Sequence, residues 1–389
     1  MNPLFADLPT SIFAHMSGLA VQHRAINLGQ GFPDFGWPED VLERAAEAVR
    51  TGSNQYAPMR GLTELREAVV EHYRRHQQIS YDVEEVTITS GATEALASAI
   101  MALVSPGDQV LLFQPLYDAY VPLIRRAGGV PRFVRLTPPD WRITAEAVEA
   151  ALTERTKLLI FNNPHNPAAR LFDADELRIL AEACVRHDLV ALTDEVWEHI
   201  IFDGARFVPL AAMPGMRERT VKVGSAGKIF SLTGWKVGWI AAPEALALPI
   251  SKAHQYMTFA TPPNLQAAVA YGLGKSGDYY EAMRAGFGAA RDDMVGALEE
   301  AGFVPLRAEG TYFVSVDLAA SGIHADDAAF CERVVREAGV AAIPVSAFYE
   351  AEPVRNVIRL CFAKQPETIA AGVERLRQAK SLFTLSSGT

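Results

Sequence analysis

The sequence predicts an α/β protein with a largely parallel sheet, followed by a smaller α+β module. Two observations lead there. Short apolar runs alternate with helical patterns through the middle of the chain, the rhythm of strand–helix–strand units. Beyond about Tyr280 that rhythm gives way to one long helical pattern, then strands with helices between and after them. In order, Val86–Thr89 reads as a strand, then a helix from about Ala92 to Val104, stopped by Pro106-Gly107-Asp108. Val110–Phe113, Lys157–Phe161, Leu189–Thr193, Val221–Val223 and Val237–Ala241 read as further strands. Ala174–His187 reads as a helix with Asp173 or Asp175 as its N-cap. In the second module, Tyr312–Val316 and Val357–Phe362 read as strands. The segment up to about Pro38 has no core pattern of its own, so it is expected to pack on another element or on a partner subunit.

Composition bounds the function. The chain has 389 residues, 49% of them hydrophobic, which suits two domains with a large core and excludes a disordered or fibrous chain. Lys and Arg number 36 against 46 Asp and Glu, a net charge of −10, and no basic run exceeds a pair such as Arg74-Arg75. A nucleic-acid groove needs clustered cations, so nucleic acid is not expected as a partner. Cys184, Cys331 and Cys361 are an odd, widely spaced set that implies no disulfide framework. Met1 to Ala20 does not read as a signal peptide, and the most apolar stretch, Ala95 to Val104, is too short to span a membrane. The expectation is a soluble cytoplasmic protein without a membrane partner.

Several segments could carry chemistry. Thr89-Ser90-Gly91-Ala92-Thr93-Glu94-Ala95 leaves a strand and opens a helix, and its small residues expose N–H groups at a helix N-terminus, a seat for phosphate. Alone, it reads more readily as a strand-to-helix turn capped by Ser90 or Thr93. Asp194 closes an apolar strand where α/β ligand sites lie, although a capping acid looks the same. Gly224-Ser225-Ala226-Gly227-Lys228 places a lysine among small residues that leave room for a cofactor, although a single lysine is usually a surface charge. Asn162-Asn163-Pro164-His165-Asn166-Pro167 is either a proline-rich turn or a rigid mount for amide side chains. Arg359 interrupts an apolar strand, so it either pairs with a buried acid or grips a carboxylate. Two further motifs lack the context their chemistry needs. Gly272-Leu273-Gly274-Lys275-Ser276-Gly277 follows a helical pattern rather than a strand, which argues against a dinucleotide loop. His72 and His76 have metal-ligand spacing but no evident third ligand, so no metal is expected.

Taken together, these segments resemble the class I/II, fold-type I aminotransferases that use pyridoxal 5′-phosphate, over nearly the whole chain. The likeness is greatest to the kynurenine/glutamine and methionine aminotransferase branch. It rests on Asn27-Leu28-Gly29-Gln30-Gly31-Phe32-Pro33-Asp34, Asn54-Gln55-Tyr56 with Arg60-Gly61, and Pro164 to Pro167. Asp194-Glu195-Val196, Gly227-Lys228, Thr233 to Gly238, and Ile358-Arg359-Leu360-Cys361-Phe362 complete it. The resemblance implies a large domain over 41–285 with a mostly parallel seven-stranded sheet. It also implies a small domain over 286–389, with the segment 1–40 packing on it.

By that resemblance, Lys228 forms the aldimine with the cofactor and moves the proton, and Asp194 pairs with the pyridine nitrogen. Asn166 donates to the ring's phenolic oxygen, and Tyr117 stacks on the ring. Ala92, Thr93, Ser225 and Lys236 hold the phosphate, and Tyr56 reaches the partner subunit's phosphate in a homodimer. Arg359, with Asn166 and the backbone of Gly31, takes the substrate carboxylate, while Phe13 and the partner copy's Phe259 line the side-chain pocket. The implied reaction moves an amino group from an L-amino acid, aromatic, methionine or otherwise uncharged, to a 2-oxo acid by a ping-pong route. A C–S β-lyase on the same scaffold and a non-catalytic cofactor-binding paralogue are the alternatives. Three positions depart from the family pattern. Trp197 stands where a tyrosine is usual beside the cofactor, Ala168-Ala169 where Thr/Ser-Gly is usual, and Ala260 where a histidine is common.

Overall fold

The computed structural model describes residues 3–384. Seven strands form its main sheet: β1 (Val86–Thr89), β2 (Gln109–Gln114), β3 (Val130–Arg135), β4 (Thr156–Asn162), β5 (Val190–Asp194), β6 (Thr220–Ser225) and β7 (Gly238–Ala241). Their order across the sheet is β1-β7-β6-β5-β4-β2-β3. Only β7 runs against its neighbours. The central strands are almost wholly buried because helices cover both faces, as a parallel sheet requires. The helix Gly91–Leu103 packs on one face; Ala174–Arg186 has its apolar side in the core on the other. Asp173 caps the latter as a reciprocal box. It accepts from the Glu176 N–H at 2.9 Å, and Glu176 accepts from the Asp173 N–H at 3.1 Å.

The sequence reading has no strand at β3. Pro131, Arg132 and Arg135 break up its apolar run, and Pro is tolerated there because β3 is an edge strand.

The smaller module is a four-stranded antiparallel sheet in the order Ile343–Pro344, Val357–Cys361, Phe313–Asp317, Val304–Pro305. Its helices are Asp327–Ala338 and Pro366–Thr384. The chain enters it through the helix Gly277–Glu300, which runs unbroken past residue 285. Near the N-terminus, Ile26–Asn27 pairs in parallel with Val340–Ala341. That pairing, with the Leu28 carbonyl accepting from the Cys361 N–H, sets Gly29 and Gly31 over the end of Val357–Cys361. All three cysteines are buried and unpaired. Among the described residues, no helix is long and apolar enough to cross a membrane.

Candidate active site

The C-terminal ends of the central strands open into a cavity of about 160 Å³. Ala92, Thr93, Tyr117, Asn166, Asp194, Trp197, Ser225, Lys228 and Lys236 all line it. They arrive from the ends of β1, β2, β4, β5 and β6 or the turns after them, with Lys236 on the turn that leads into β7, so the sheet gathers residues far apart in sequence.

Asp194 ends β5 and is buried. Its Oδ2 accepts from the Tyr120 hydroxyl at 2.7 Å, while its Oδ1 is buried without a partner. Burial pushes the carboxyl above its usual range, against the pull of Tyr120, the Val196 N–H and Lys228. An orphaned carboxylate oxygen at the floor of a cavity is the group a protonated ring nitrogen would satisfy. Asn162, at the end of β4, donates from its amide to the Asp194 carbonyl at 2.8 Å. Its Oδ1 accepts from the Asn166 N–H at 2.7 Å, which ties the two tracts together.

Lys228 leaves the short helix after β6. Burial lowers its amine to about 8, only partly offset by Asp194. The Nζ donates to the Tyr312 hydroxyl at 3.2 Å, and that hydroxyl donates to the Gly31 carbonyl at 2.7 Å. The same Nζ lies 4.6 Å from the centre of the Trp197 ring, which meets Tyr312 edge-on at 4.4 Å between centroids. A phenol from the small module thus stands beside the lysine where the sequence has an indole at position 197.

At the helix end, Gly91 has φ +77, and a Cβ there would come within 3.3 Å of Lys236 Cε. A Cβ on Gly238 would fall 2.8 Å from the Ala92 nitrogen. These glycines let Lys236 and the first N–H groups of the helix converge with Ser225, an anion cradle. The residues therefore fit pyridoxal phosphate at both ends: a cradle for its phosphate and an unpaired carboxylate oxygen for its ring nitrogen.

Arg359 lies on Val357–Cys361 and is 1% exposed. Its Nη1 donates to Asn166 Oδ1 at 2.8 Å and its Nη2 to the Gly29 carbonyl at 2.9 Å; its Nε has no partner. Its carbonyl and amide partners leave its charge unneutralised. No carboxylate hydrogen-bonds it, so a buried acid does not occupy its fork. Burial lowers it to about 10, so it stays charged at neutral pH. Its guanidinium lies 3.8 Å from the Phe313 ring centre and 5.3 Å from those of Phe13 and Phe348.

Tyr56 and Phe259 do not join this group. Tyr56 is 85% exposed, and the two rings pack against each other at 5.3 Å on the surface. Tyr120 and Tyr312 carry no mark in the sequence, and Gly29 stands out there only as a member of its tract. Asn162 likewise stands out only within its tract, and Tyr312 meets Lys228 across 84 positions of chain.

The family profile for class I and II aminotransferases matches residues 23–376, and the chain belongs to that family. It is a pyridoxal-phosphate-dependent enzyme that transfers amino groups between amino acids and 2-oxo acids. Methionine aminotransferase of Escherichia coli (strain K12) is 44% identical over 383 residues, covering 97% of this chain and 99% of that protein. Human kynurenine–oxoglutarate transaminase 1 is 34% identical, covering 93% of this chain and 94% of that one. The solved structure of N-succinyldiaminopimelate aminotransferase from Mycobacterium tuberculosis superposes with a TM-score of 0.94 at 40% identity, covering 97% and 99% of the two chains.

Proposed function

We propose that this enzyme takes its amino group from L-amino acids with uncharged side chains, methionine and aromatic ones first, by a ping-pong route and as a homodimer. The carrying observation is the wall of Phe13, Phe313 and Phe348 around the Arg359 guanidinium, with Lys228 and Lys236 the only cations lining the cavity among the described residues. A dicarboxylic donor would leave its second carboxylate facing that apolar wall, a desolvation cost without compensation. The names of the E. coli and human relatives support the same range.

Bound pyridoxal phosphate supplies the electron sink for the bond broken at the substrate α-carbon. The chain's own residues do the rest. Asp194 holds the ring-side proton through the oxygen that Tyr120 leaves free, and Arg359 with Asn166 fixes the carboxylate so that the α-carbon faces Lys228. At pH 7 an amine of pKa about 8 is unprotonated in about one molecule in ten, against about one in three thousand at 10.5. Lys228 can therefore accept the α-proton at its Nζ and return it on the other side of the reaction. Tyr312, bridging Lys228 and Gly31, orients that amine.

The exposed Tyr56–Phe259 pair supports the dimer: both lie outside their own chain's cavity, on a face that a second copy would bring over it. The substrate reading is tested by steady-state comparison of Met, Phe, kynurenine, Gln and Asp as donors. We expect Met or an aromatic donor to have the highest kcat/KM, and Asp in first place overturns it. Sedimentation of the holoenzyme tests the dimer, which a monomer at assay concentration contradicts.

A further inference from the structure

A second polar chamber lies beyond the wall of the catalytic cavity. His72 and His76, on the helix Thr63–Gln77, meet Glu198 and His199 on the turn after β5. His72 Nε2 lies 2.8 Å from His199 Nε2 and 3.7 Å from Glu198 Oε1. One donor atom from each of these three buried residues lies within 4.8 Å of the others. Bonds of about 2.0–2.2 Å to a tetrahedral zinc ion place donor atoms roughly 3.3 Å apart, a spacing these distances straddle. Two imidazole nitrogens facing each other can share a proton or share a cation. A shared proton leaves Glu198 Oε1 buried without a partner, and likewise Nε2 of His76. The His76 ring centre is 4.7 Å from that of His72 and 5.1 Å from that of His199. A cation takes in the orphaned carboxylate oxygen and has a fourth donor beside it.

The surroundings are built as a metal's outer shell would be. Lys222 and Gln77 both donate to Glu198 Oε2, at 2.7 and 2.5 Å, which leaves Oε1 as the free oxygen. The Tyr280 hydroxyl lies 3.4 Å from His72 Nδ1, where an outer group selects the tautomer that presents Nε2. Lys222 also pairs with Glu195, so two carboxylates face one ammonium and the cluster can accept positive charge. A cavity of about 740 Å³ lined by His76, Glu198 and His199 gives an ion its entry.

We propose that His72, Glu198 and His199 form a binding site for a divalent transition-metal ion of the zinc type, with His76 as the adjacent fourth donor. Imidazoles with one carboxylate suit zinc or cobalt rather than magnesium or calcium. The site stands on these four residues and does not depend on the aminotransferase chemistry. Its link to that chemistry is mechanical: Asp194 and Trp197 face the catalytic cavity from the same buried stretch that carries Glu198 and His199.

The test uses the holoenzyme, stripped with a chelator and dialysed against Zn²⁺ or Co²⁺. We expect one equivalent of metal per chain, the visible bands of tetrahedral Co²⁺, and a higher Tm with Zn²⁺. His199→Gln and His72→Gln should each weaken binding by at least about tenfold, as loss of even an outer-shell partner commonly does, while the cofactor's visible absorbance persists. Absence of stoichiometric metal in the native protein overturns the proposal whether or not the variants fold. An equivalent of metal held as tightly by His199→Gln overturns it too, by placing the ion elsewhere.

Discussion

Lys222 and Lys228 lie on one short stretch, the first inside β6 and the second just past its end, yet burial leaves them with opposite chemistry. Burial pulls the Lys222 amine down, but Glu195 and Glu198 outweigh it, and its pKa ends above the ordinary lysine value. Burial also pulls Lys228 down; there the nearby carboxylate is Asp194, which Tyr120 already engages, and the amine ends at about 8. Two close carboxylates turn a buried lysine into a fixed charge that holds a fold. A single, already occupied one leaves it a base. What distinguishes the lysine proposed as the base is the poverty of its ion pairing, not its depth.

The largest way to break the comparison is Lys228→Ala. It removes the proposed general base and should lower kcat by at least about 10²–10⁴-fold, measured with the best amino donor, with Tm little changed. Lys222→Met should do the reverse. It leaves Glu195 and Glu198 buried and unpaired at a cost of about 3–5 kcal/mol, read as a lower urea midpoint. Adding Glu195→Gln and Glu198→Gln should recover much of that loss. A pH experiment sharpens the contrast. In cofactor-free protein, acylation of Lys228, followed by peptide mapping, should rise with a midpoint near pH 8 and level off above it, because a lowered pKa frees the amine there. Lys222 should stay unreactive throughout, its pKa being raised.

The smallest effect concerns the tract after β4. Ala169, where the family resemblance expects glycine, has φ 56 and is buried. A left-handed L-residue costs roughly 1–2 kcal/mol, offset in part by glycine's greater freedom when unfolded. Ala169→Gly should therefore raise stability by at most about 1 kcal/mol, measured as a small rise in Tm.

Much of the catalytic cavity was legible in the sequence, because its residues sit where chain direction changes. Asp194, Lys228 and Asn166 each follow an apolar strand, and Arg359 stands out against the strand that holds it. The second chamber was not legible, because its partners are joined only by folding: His72 meets His199 across 127 positions. Lys222 sat unmarked inside Val221–Val223, read as an ordinary apolar strand. His72 and His76 were set aside for want of a third ligand, and the structure brings Glu198 and His199 to them. Helix Gly277–Glu300 also crosses residue 285 without a break, since a change in sequence character marks where packing partners change and not where an element must end.

The stretch from Asp194 to His199 is buried throughout and turns upon itself, with the Glu195 carbonyl accepting from the Glu198 N–H and the Trp197 carbonyl from the Ile200 N–H. Its residues alternate between two rooms as a partition does, Asp194 and Trp197 on one side, Glu195, Glu198 and His199 on the other. Substitution within it is graded, one contact at a time. A change in its length is not: inserting or deleting a single codon would rotate the partition, carry Glu198 toward the cofactor's side and strand Lys222 at once. The length of this segment should therefore be far less free to drift than its spelling.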